Sequence, residues 1–326
     1  MGIRDRASLL ARGLLGTAAR DSKVSPVITV ADDSGKTNVD SYWNEHTVNS
    51  NPFDSAAESK RYLKKRSEAY PLFTKFMDLY GKHEGQVVLD YGCGPGDDVV
   101  GFLLWSKARK VIGIDVSDTA LGLLRHRLAL HRVEPRRVEL IRITDSSGAI
   151  PLASESIDWL HCGGVLHHTS HPQQIVNEFG RVMKPGAEGR LMLYNRESIW
   201  YHVWIAYAQR VVNNVYPELT VDEAFTKSTD GPDCPISDAW SPKRVLEMIE
   251  AAGLKGRFVG GYFNVEELGW WNTYGAAARN DPRLESEHRE FASQVEVDSH
   301  GYPIRDRKHV GIGGVYAISK PGSRQL

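Results

Sequence analysis

The sequence predicts a doubly wound α/β protein on a mostly parallel sheet, and three stretches carry that prediction. Residues 87–96 read Val-Val-Leu-Asp-Tyr-Gly-Cys-Gly-Pro-Gly. Apolar strand residues run into Asp90, then into glycines at alternate positions, Gly92, Gly94 and Gly96, just ahead of a helical pattern. Lys110 to Asp115 is a second apolar strand ending in a carboxylate. From there strand-like and helix-like segments alternate as far as Tyr194, the sign of a parallel sheet with crossover helices.

Glycine permits unusual φ values and close main-chain approach, so strand, glycine turn and helix form a binding crevice at the carboxyl edge of the sheet. Asp115 lies 19 residues beyond Gly96, near the roughly 20-residue offset of an acid that hydrogen-bonds a ribose hydroxyl pair. The ligand read from these residues is a nucleoside. A pyrophosphate-binding turn would read G-x-G-x-x-G, whereas this one reads G-x-G-x-G with Asp90 before it and Asp97 and Asp98 after it. Those acids would repel phosphates and suit a ligand carrying an ammonium and a sulfonium. Asp97 and Asp98 also complement the positive end of the helix they open.

The elements follow in order. Residues 1–23 hold five basic and two acidic side chains, with Leu9, Leu10, Leu14 and Leu15 on one helical face; they read as a helix resting on the core or on a neighbouring subunit, a membrane-surface segment or a transit peptide, without the apolar run of a secretory signal. Residues 24–41 read as a linker. Tyr42-Trp43-Asn44 precedes a helix over about Ser55 to Tyr80, which Pro71 should kink or divide. The first strand, about Val87 to Asp90, leads into a helix over Asp97 to Trp105; the second leads into a helix over Asp118 to His131, capped by Ser117 or Asp118. A third strand, Val138 to Ile143, ends before Asp145. A fourth, Ile157 to His161, opens into Cys162-Gly-Gly-Val-Leu-His-His-Thr-Ser-His171. A helix over Pro172 to Met183 and a strand over Gly189 to Tyr194 complete the alternation.

Three histidines in that loop invite a metal reading, but His167, His168 and His171 lack a carboxylate at a defined ligand offset, and no metal is expected. A general base is the stronger reading, since histidine titrates near neutral pH; His167 is preferred over His168. Ser198 to Val212 is apolar almost all round and must be covered on several sides, either as a cap over the site or as a dimer contact. The turn-rich Asp230-Gly-Pro-Asp-Cys-Pro235 is placed to descend into the pocket. A helix over Pro242 to Ala252 follows, then an aromatic segment from Phe263 to Tyr274, then a mobile polar stretch around Asn280 to Asp306.

Composition is that of a globular enzyme: 326 residues, 41% hydrophobic and 25% charged. A formal net charge of −1 gives no global pull toward nucleic acid or anionic membrane. No window of about 18 apolar residues would form a transmembrane helix. Cys93, Cys162 and Cys234 form neither a disulfide framework nor a metal-ligand spacing, which points to a reducing, cytoplasmic setting.

Taken together, Asp90-Tyr-Gly-Cys-Gly-Pro-Gly96, Ile112-Gly-Ile-Asp-Val-Ser117, Ile157-Asp-Trp-Leu160 with Gly164-Val-Leu-His-His-Thr169, and Arg181-Val-Met-Lys-Pro-Gly186 resemble, in order and spacing, the class I S-adenosylmethionine (SAM)-dependent methyltransferases. The likeness is greatest to the small-molecule branch that includes the ubiquinone and menaquinone biosynthesis enzymes. It is dense over residues 60–195, resumes at Trp240 to Gly253 and ends in a strand near Gly314 to Ser319. It implies a Rossmann-like, seven-stranded sheet with helical cap insertions: an N-terminal extension and linker (1–41), a helical lid (42–86), the SAM-binding core (87–195), a cap insertion (196–240) and a C-terminal part of the core (241–326) with an inserted segment at about 264–309.

The same resemblance implies SAM contacts from Asp90, Gly92, Cys93, Gly94, Gly96, Asp115, Val116, Asp145, Cys162 and Gly163, with Asp145 accepting from the adenine amino group. His167 and His168 are the catalytic candidates, and Tyr42, Trp43, Tyr194, Asn195 and Arg196 the acceptor contacts. The expected reaction is metal-independent methyl transfer to nitrogen, oxygen or sulfur of a small metabolite. A noncatalytic SAM-binding scaffold and a Rossmann oxidoreductase are the alternatives.

Overall fold

The computed structural model describes residues 25–30 and 37–322, so the basic N-terminal segment and part of the expected linker lie outside the described residues. The chain forms β1 (Val27–Thr29), α1 (Asn38–Glu45), α2 (Ala56–Ala69), α3 (Phe73–Phe76), β2 (Val87–Tyr91), α4 (Asp97–Trp105), β3 (Lys110–Asp115), α5 (Asp118–Leu130), β4 (Val138–Arg142), β5 (Ile157–Gly163), α6 (Pro172–Val182) and β6 (Met183–Tyr194). It continues through the π-helix α7 (Trp200–Val212), then α8 (Val221–Thr229), α9 (Pro242–Ala251), β7 (Lys255–Tyr262), α10 (Val265–Asn280), α11 (Ser286–Gln294), the short strands β8 (Glu296–Val297), β9 (Pro303–Arg305) and β10 (Lys308–His309), and β11 (Gly313–Ser319).

The main sheet runs β1-β4-β3-β2-β5-β6-β11-β7. β11 alone is reversed, antiparallel to both β6 and β7. The six strands placed from sequence are all present, β7 fills the seventh place that the resemblance implies, and an eighth is added by a segment read as linker: Val27 pairs in parallel with Leu140 of β4. Ser25 secures that edge, donating from its hydroxyl to the carbonyls of Pro135 and Val138. Three residues are too few for the alternation that announces a strand in sequence.

Strand order reverses between β2 and β5, and their carboxyl ends open the crevice that doubly wound sheets use for ligands. β2 is buried throughout, as a parallel strand covered on both faces must be. Leu89, Ile114, Leu160 and Phe179 pack on one side of the sheet, and Val88, Val99, Phe102 and Leu140 on the other.

Pro71 divides the N-terminal helix as expected. α2 stops at Ala69 and α3 restarts at Phe73 after Leu72 takes a left-handed φ of 71°. The stretch read as mobile around 280–306 is instead structured: α11 buries Phe291 and Ala292, and β8, β9 and β10 form a small antiparallel sheet. Its polar composition reflects one exposed face, not disorder.

α7 answers the demand its sequence made. Asn213 N–H donates to the Ala208 carbonyl five residues back, at 3.0 Å, the spacing of a rare π-helix. Tyr201, Val203, Ile205 and Tyr207 pack with Phe225 of α8, Trp271 of α10 and Phe291 of α11 in a third core. The two insertions thus fold together as one cap, and the chain's own helices cover α7. Glu267, fully buried, ties this cap to the sheet by accepting the Ile312 N–H at 3.0 Å and the Asn264 N–H at 2.9 Å. Burial pushes its pKa up to about 8, against the backbone N–H donors that favour the charged form.

Candidate active site

A cavity of about 460 Å³ lies above the β2/β5 switch point, roofed by α1 and the cap, within the roughly 300–1,000 Å³ range of small-molecule sites. One half of it is the glycine turn. The three glycines differ in their physical reasons. At Gly92 a Cβ would lie 2.1 Å from Val165, and at Gly96 it would lie 2.1 Å from Leu124, whereas at Gly94, with φ +52°, it would meet no protein atom within 4 Å. A side chain at Gly94 would therefore project into the cavity. Gly96 itself stands behind the wall, capping α4 with φ 82°.

The Asp115 carboxylate is held at the cavity by the N–H groups of Gly94 (2.7 Å) and Ser117 (2.8 Å). Burial raises its pKa, against those backbone donors. Asp90 lies 3% exposed beneath the turn, with Oδ2 lacking any partner. Burial raises its carboxyl to about 7, opposed by His161 and reinforced by Asp98. Val116, Cys93 and Gly163 also line the wall. Asp145 lines it too, but its carboxylate already accepts from the Thr169 hydroxyl (2.6 Å) and the Ser170 N–H (3.2 Å). Asp145 N–H in turn donates to Asp40 at the start of α1 (2.9 Å). A nucleoside carrying positive charge fits this half: an open glycine cradle, an orphaned buried carboxyl and a second carboxylate at the ribose offset.

Asp97 and Asp98 are a correction. They were read as partners for the ligand's charges, yet the protein supplies their cations. Arg127 of α5, 1% exposed, pairs with Asp97, and Arg66 of α2 donates to Asp98 at 2.7 Å. His161 Nε2 lies 3.1 Å from Asp98 Oδ2. Burial alone would raise the Asp98 carboxyl, but Arg66 and His161 hold it below its ordinary value. These cations stand 30 or more residues away in sequence, so no local pattern pointed to them.

The other half is aromatic. Trp43, Tyr194, Trp200 and Tyr262 line it with His168 and Asp230. His168 Nδ1 lies 2.7 Å from the Ile236 carbonyl, which makes it the protonated nitrogen and leaves the lone pair on Nε2. That atom lies 3.8 Å from Asp230 Oδ2. Burial lowers the His168 pKa, opposed by Asp230. Asp230 is oriented by the Tyr194 hydroxyl at 3.0 Å and the Ser237 hydroxyl at 2.6 Å. Cys234 Sγ joins this group, within 4.8 Å of the His168 and Asp230 ligand atoms. Burial and Asp230 keep the thiol protonated, with a pKa near 11.

Besides Gly96, five expected contacts fall outside the cavity wall. His167 is 1% exposed, and its Nδ1 accepts the Tyr194 N–H at 3.3 Å; burial and His168 drive its pKa well down. It supports Tyr194, and the cavity-facing imidazole is that of His168. Cys162 packs in the core with Leu160, because successive side chains of β5 alternate between the two faces. Asn195 is spent on the backbone, donating to the carbonyls of Glu197 (2.7 Å) and Gly311 (3.2 Å). Arg196 pairs with Asp222 at 2.5 Å and lies over the Tyr201 ring. Tyr42 donates its hydroxyl to the Asp230 carbonyl at 2.6 Å, so it fastens α1 to the 230 loop while Trp43 faces the cavity. Sequence reasoning missed Asp230 and Trp200 as cavity residues; the loop and helix bearing them were noted, but not which side chains turn inward.

Strand order, glycine turn and carboxylate-ended second strand define a nucleoside-binding α/β enzyme of the class I methyltransferase type. Residues 82–253 match the methyltransferase-domain family, and the chain belongs to that family, whose methyl donor is SAM. An uncharacterised 37.1 kDa protein in transposon TN4556 of Streptomyces fradiae is 36% identical over 154 residues, 46% of this chain and 39% of that protein. The ubiquinone biosynthesis O-methyltransferase of Chromobacterium violaceum is 26% identical over 149 residues, 45% of this chain and 60% of that protein. The matches thus cover between 39% and 60% of these curated relatives. Among solved structures, a SAM-dependent methyltransferase from Aquifex aeolicus aligns with a TM-score of 0.43 at 21% identity, over 64% of this chain and 93% of that one.

Proposed function

We propose that the protein is a metal-independent methyltransferase that carries the methyl group of SAM to a nitrogen, oxygen or sulfur atom of a small metabolite. The observation that carries this reading is the continuity of one cavity from the glycine turn and Asp115 to the aromatic wall bearing His168 and Asp230. Bound SAM supplies an electrophilic methyl already activated by its positive sulfur, so the chain needs mainly to align partners, exclude water and take a proton.

Gly94, Asp115, Val116 and Asp145 would hold the nucleoside, with Asp90 beneath its cationic end. α1 closes over them. Asn44 accepts from Thr119 N–H at 3.1 Å, and the Thr47 and Ser117 hydroxyls lie 3.2 Å apart, which keeps the lid on the core and water out. On the acceptor side His168 Nε2 is the group that takes a proton, its tautomer fixed by Ile236, while His167 acts only by bracing Tyr194. The cavity is of small-molecule size, and three free, buried cysteines fit a reducing cytoplasmic setting. No helix among the described residues is long and apolar enough to cross a membrane.

Incubation with methyl-labelled SAM and fractionated metabolites, followed by mass spectrometry, tests the reading. A labelled small molecule formed equally with and without a chelator supports it. SAM binding without turnover on any fraction would favour a noncatalytic SAM-binding protein.

A further inference from the structure

Among the described residues six carboxylates line the cavity, and five belong to its cofactor half. Asp97 and Asp98 face Arg66, Arg127 and His161; Asp115 takes main-chain N–H groups; Asp145 takes Thr169 and Ser170; Asp90 lies beneath the glycine turn. Asp230 differs. It sits on the acceptor side, 15% exposed at its side chain, and accepts only from neutral hydroxyls, those of Tyr194 and Ser237. Among the described residues no lysine or arginine lies within ion-pair distance of it, and His168 at 3.8 Å is its nearest ionisable cation. An ionised carboxylate offers about four acceptor positions, so two hydroxyl donors leave room for an incoming N–H.

The rest of the wall has the same preference. Trp43, Tyr194 and Trp200 line the acceptor half, and aromatic faces attract cations. The cavity's one lysine or arginine among the described residues is Arg66, which is committed to Asp98 and Asp97. Among the described residues the acceptor half therefore offers no lysine or arginine to a carboxylate or phosphate, and a neutral alcohol would leave Asp230 without a cationic partner in an aromatic site.

We propose that Asp230 is the recognition residue for a cationic acceptor, a primary or secondary amine that enters as its ammonium ion between the Asp230 carboxylate and the aromatic faces of Trp43 and Trp200. This rests on the methyltransferase reading and narrows its acceptor atom to nitrogen. The Asp230–His168 spacing suits the proton balance. One proton passes from the ammonium to His168 Nε2, and the freed lone pair forms the new N–C bond as the C–S bond breaks and its electron pair leaves with sulfur.

The test is calorimetry on the full chain saturated with S-adenosylhomocysteine, using three probes of matched shape: 2-phenylethylamine, 2-phenylethanol and 3-phenylpropanoate. The amine is expected to bind at least tenfold more tightly than the alcohol, and the acid not at all. In Asp230→Asn the amine and alcohol should become equal, with S-adenosylhomocysteine affinity kept within threefold. Should that variant fail to fold, wild-type salt dependence decides: amine affinity should fall from 20 to 500 mM NaCl while alcohol affinity holds. Equal binding of alcohol and amine, or an amine preference that survives Asp230→Asn or ignores salt, overturns the proposal. So does stoichiometric zinc in the purified protein that is lost in Asp230→Asn, because it assigns the carboxylate to a metal with His168 and Cys234. Failure of S-adenosylhomocysteine to bind wild type, seen before any amine is added, would sink the methyltransferase reading itself.

Discussion

Replacing Gly94 and Gly92 one at a time with alanine separates binding from folding at the same turn. Both residues have positive φ, +52° and +73°, so either substitution carries a left-handed penalty of about 1–2 kcal/mol. At Gly94 the added methyl meets no protein atom within 4 Å, so that penalty is the whole cost to the fold. At Gly92 the methyl would lie 2.1 Å from Val165 Cγ2 and 3.0 Å from Cγ1, and overpacking adds about 1–3 kcal/mol. Gly94→Ala should therefore lower unfolding free energy by about 1–2 kcal/mol and Gly92→Ala by about 2–5 kcal/mol. Binding should rank the other way, because the Gly94 methyl occupies ligand space. S-adenosylhomocysteine affinity should drop at least tenfold in Gly94→Ala, an effect of about 1.4 kcal/mol or more. Urea titration gives the first quantity and calorimetry the second. A Gly94→Ala protein that binds like wild type, or that is destabilised as much as Gly92→Ala, would refute the placement of the ligand on this turn.

Three further outcomes are expected. His168→Gln should lower kcat by about 10²–10⁴-fold with S-adenosylhomocysteine affinity retained, whereas a thioether acceptor, which has no proton to lose, would show no such loss. Arg127→Met should remove the more deeply buried of the two arginines at Asp97, leaving Arg66 at 3.7 Å, and cost about 3–5 kcal/mol in urea unfolding; a change under about 1 kcal/mol would mean the Arg127 pair is not formed in solution. Burial drives the pKa of His202 well down, with His288 and Arg196 adding to it, and burial lowers His288 as well. The unfolded chain, with ordinary values near 6.5, then binds more protons than the folded one as pH falls. Stability from this pair is complete above about pH 6.5 and is lost progressively below it, by up to about 1.4 kcal/mol per pH unit per proton. His161, raised by Asp98 despite burial, acts in the opposite sense. His202→Gln should flatten the decline of urea midpoint between pH 6.5 and 5, and an unchanged slope would count against it.

The cofactor half of the cavity was legible in sequence because its parts are contiguous. Strand, glycine turn, helix and the next strand's terminal acid lie within residues 87–118, and their periodicities announce them. The acceptor half was legible only in outline. Its wall takes Trp43, His168, Tyr194, Trp200, Asp230 and Tyr262 from six separate elements, and which side chain of each turns inward depends on register. A one-residue step separates Gly163, on the wall, from Cys162, in the core, and the same step separates His168 from His167. Asn195 and Arg196 follow the last residue of β6, where strand alternation no longer predicts direction. The charges on Asp97 and Asp98 were visible, but the arginines that neutralise them come from α2 and α5. Edge strand β1 is held by hydrogen bonds from Ser25 rather than by apolar pattern, so nothing periodic marked it.

The cap has its own buried nucleus, built on α7, α8, α10 and α11, apart from the two layers that sandwich the sheet. It contributes Trp200, Thr229 and Asp230 to the cavity wall. Substitutions in that nucleus would reach the cavity through Trp200, at its aromatic end, rather than through the glycine turn.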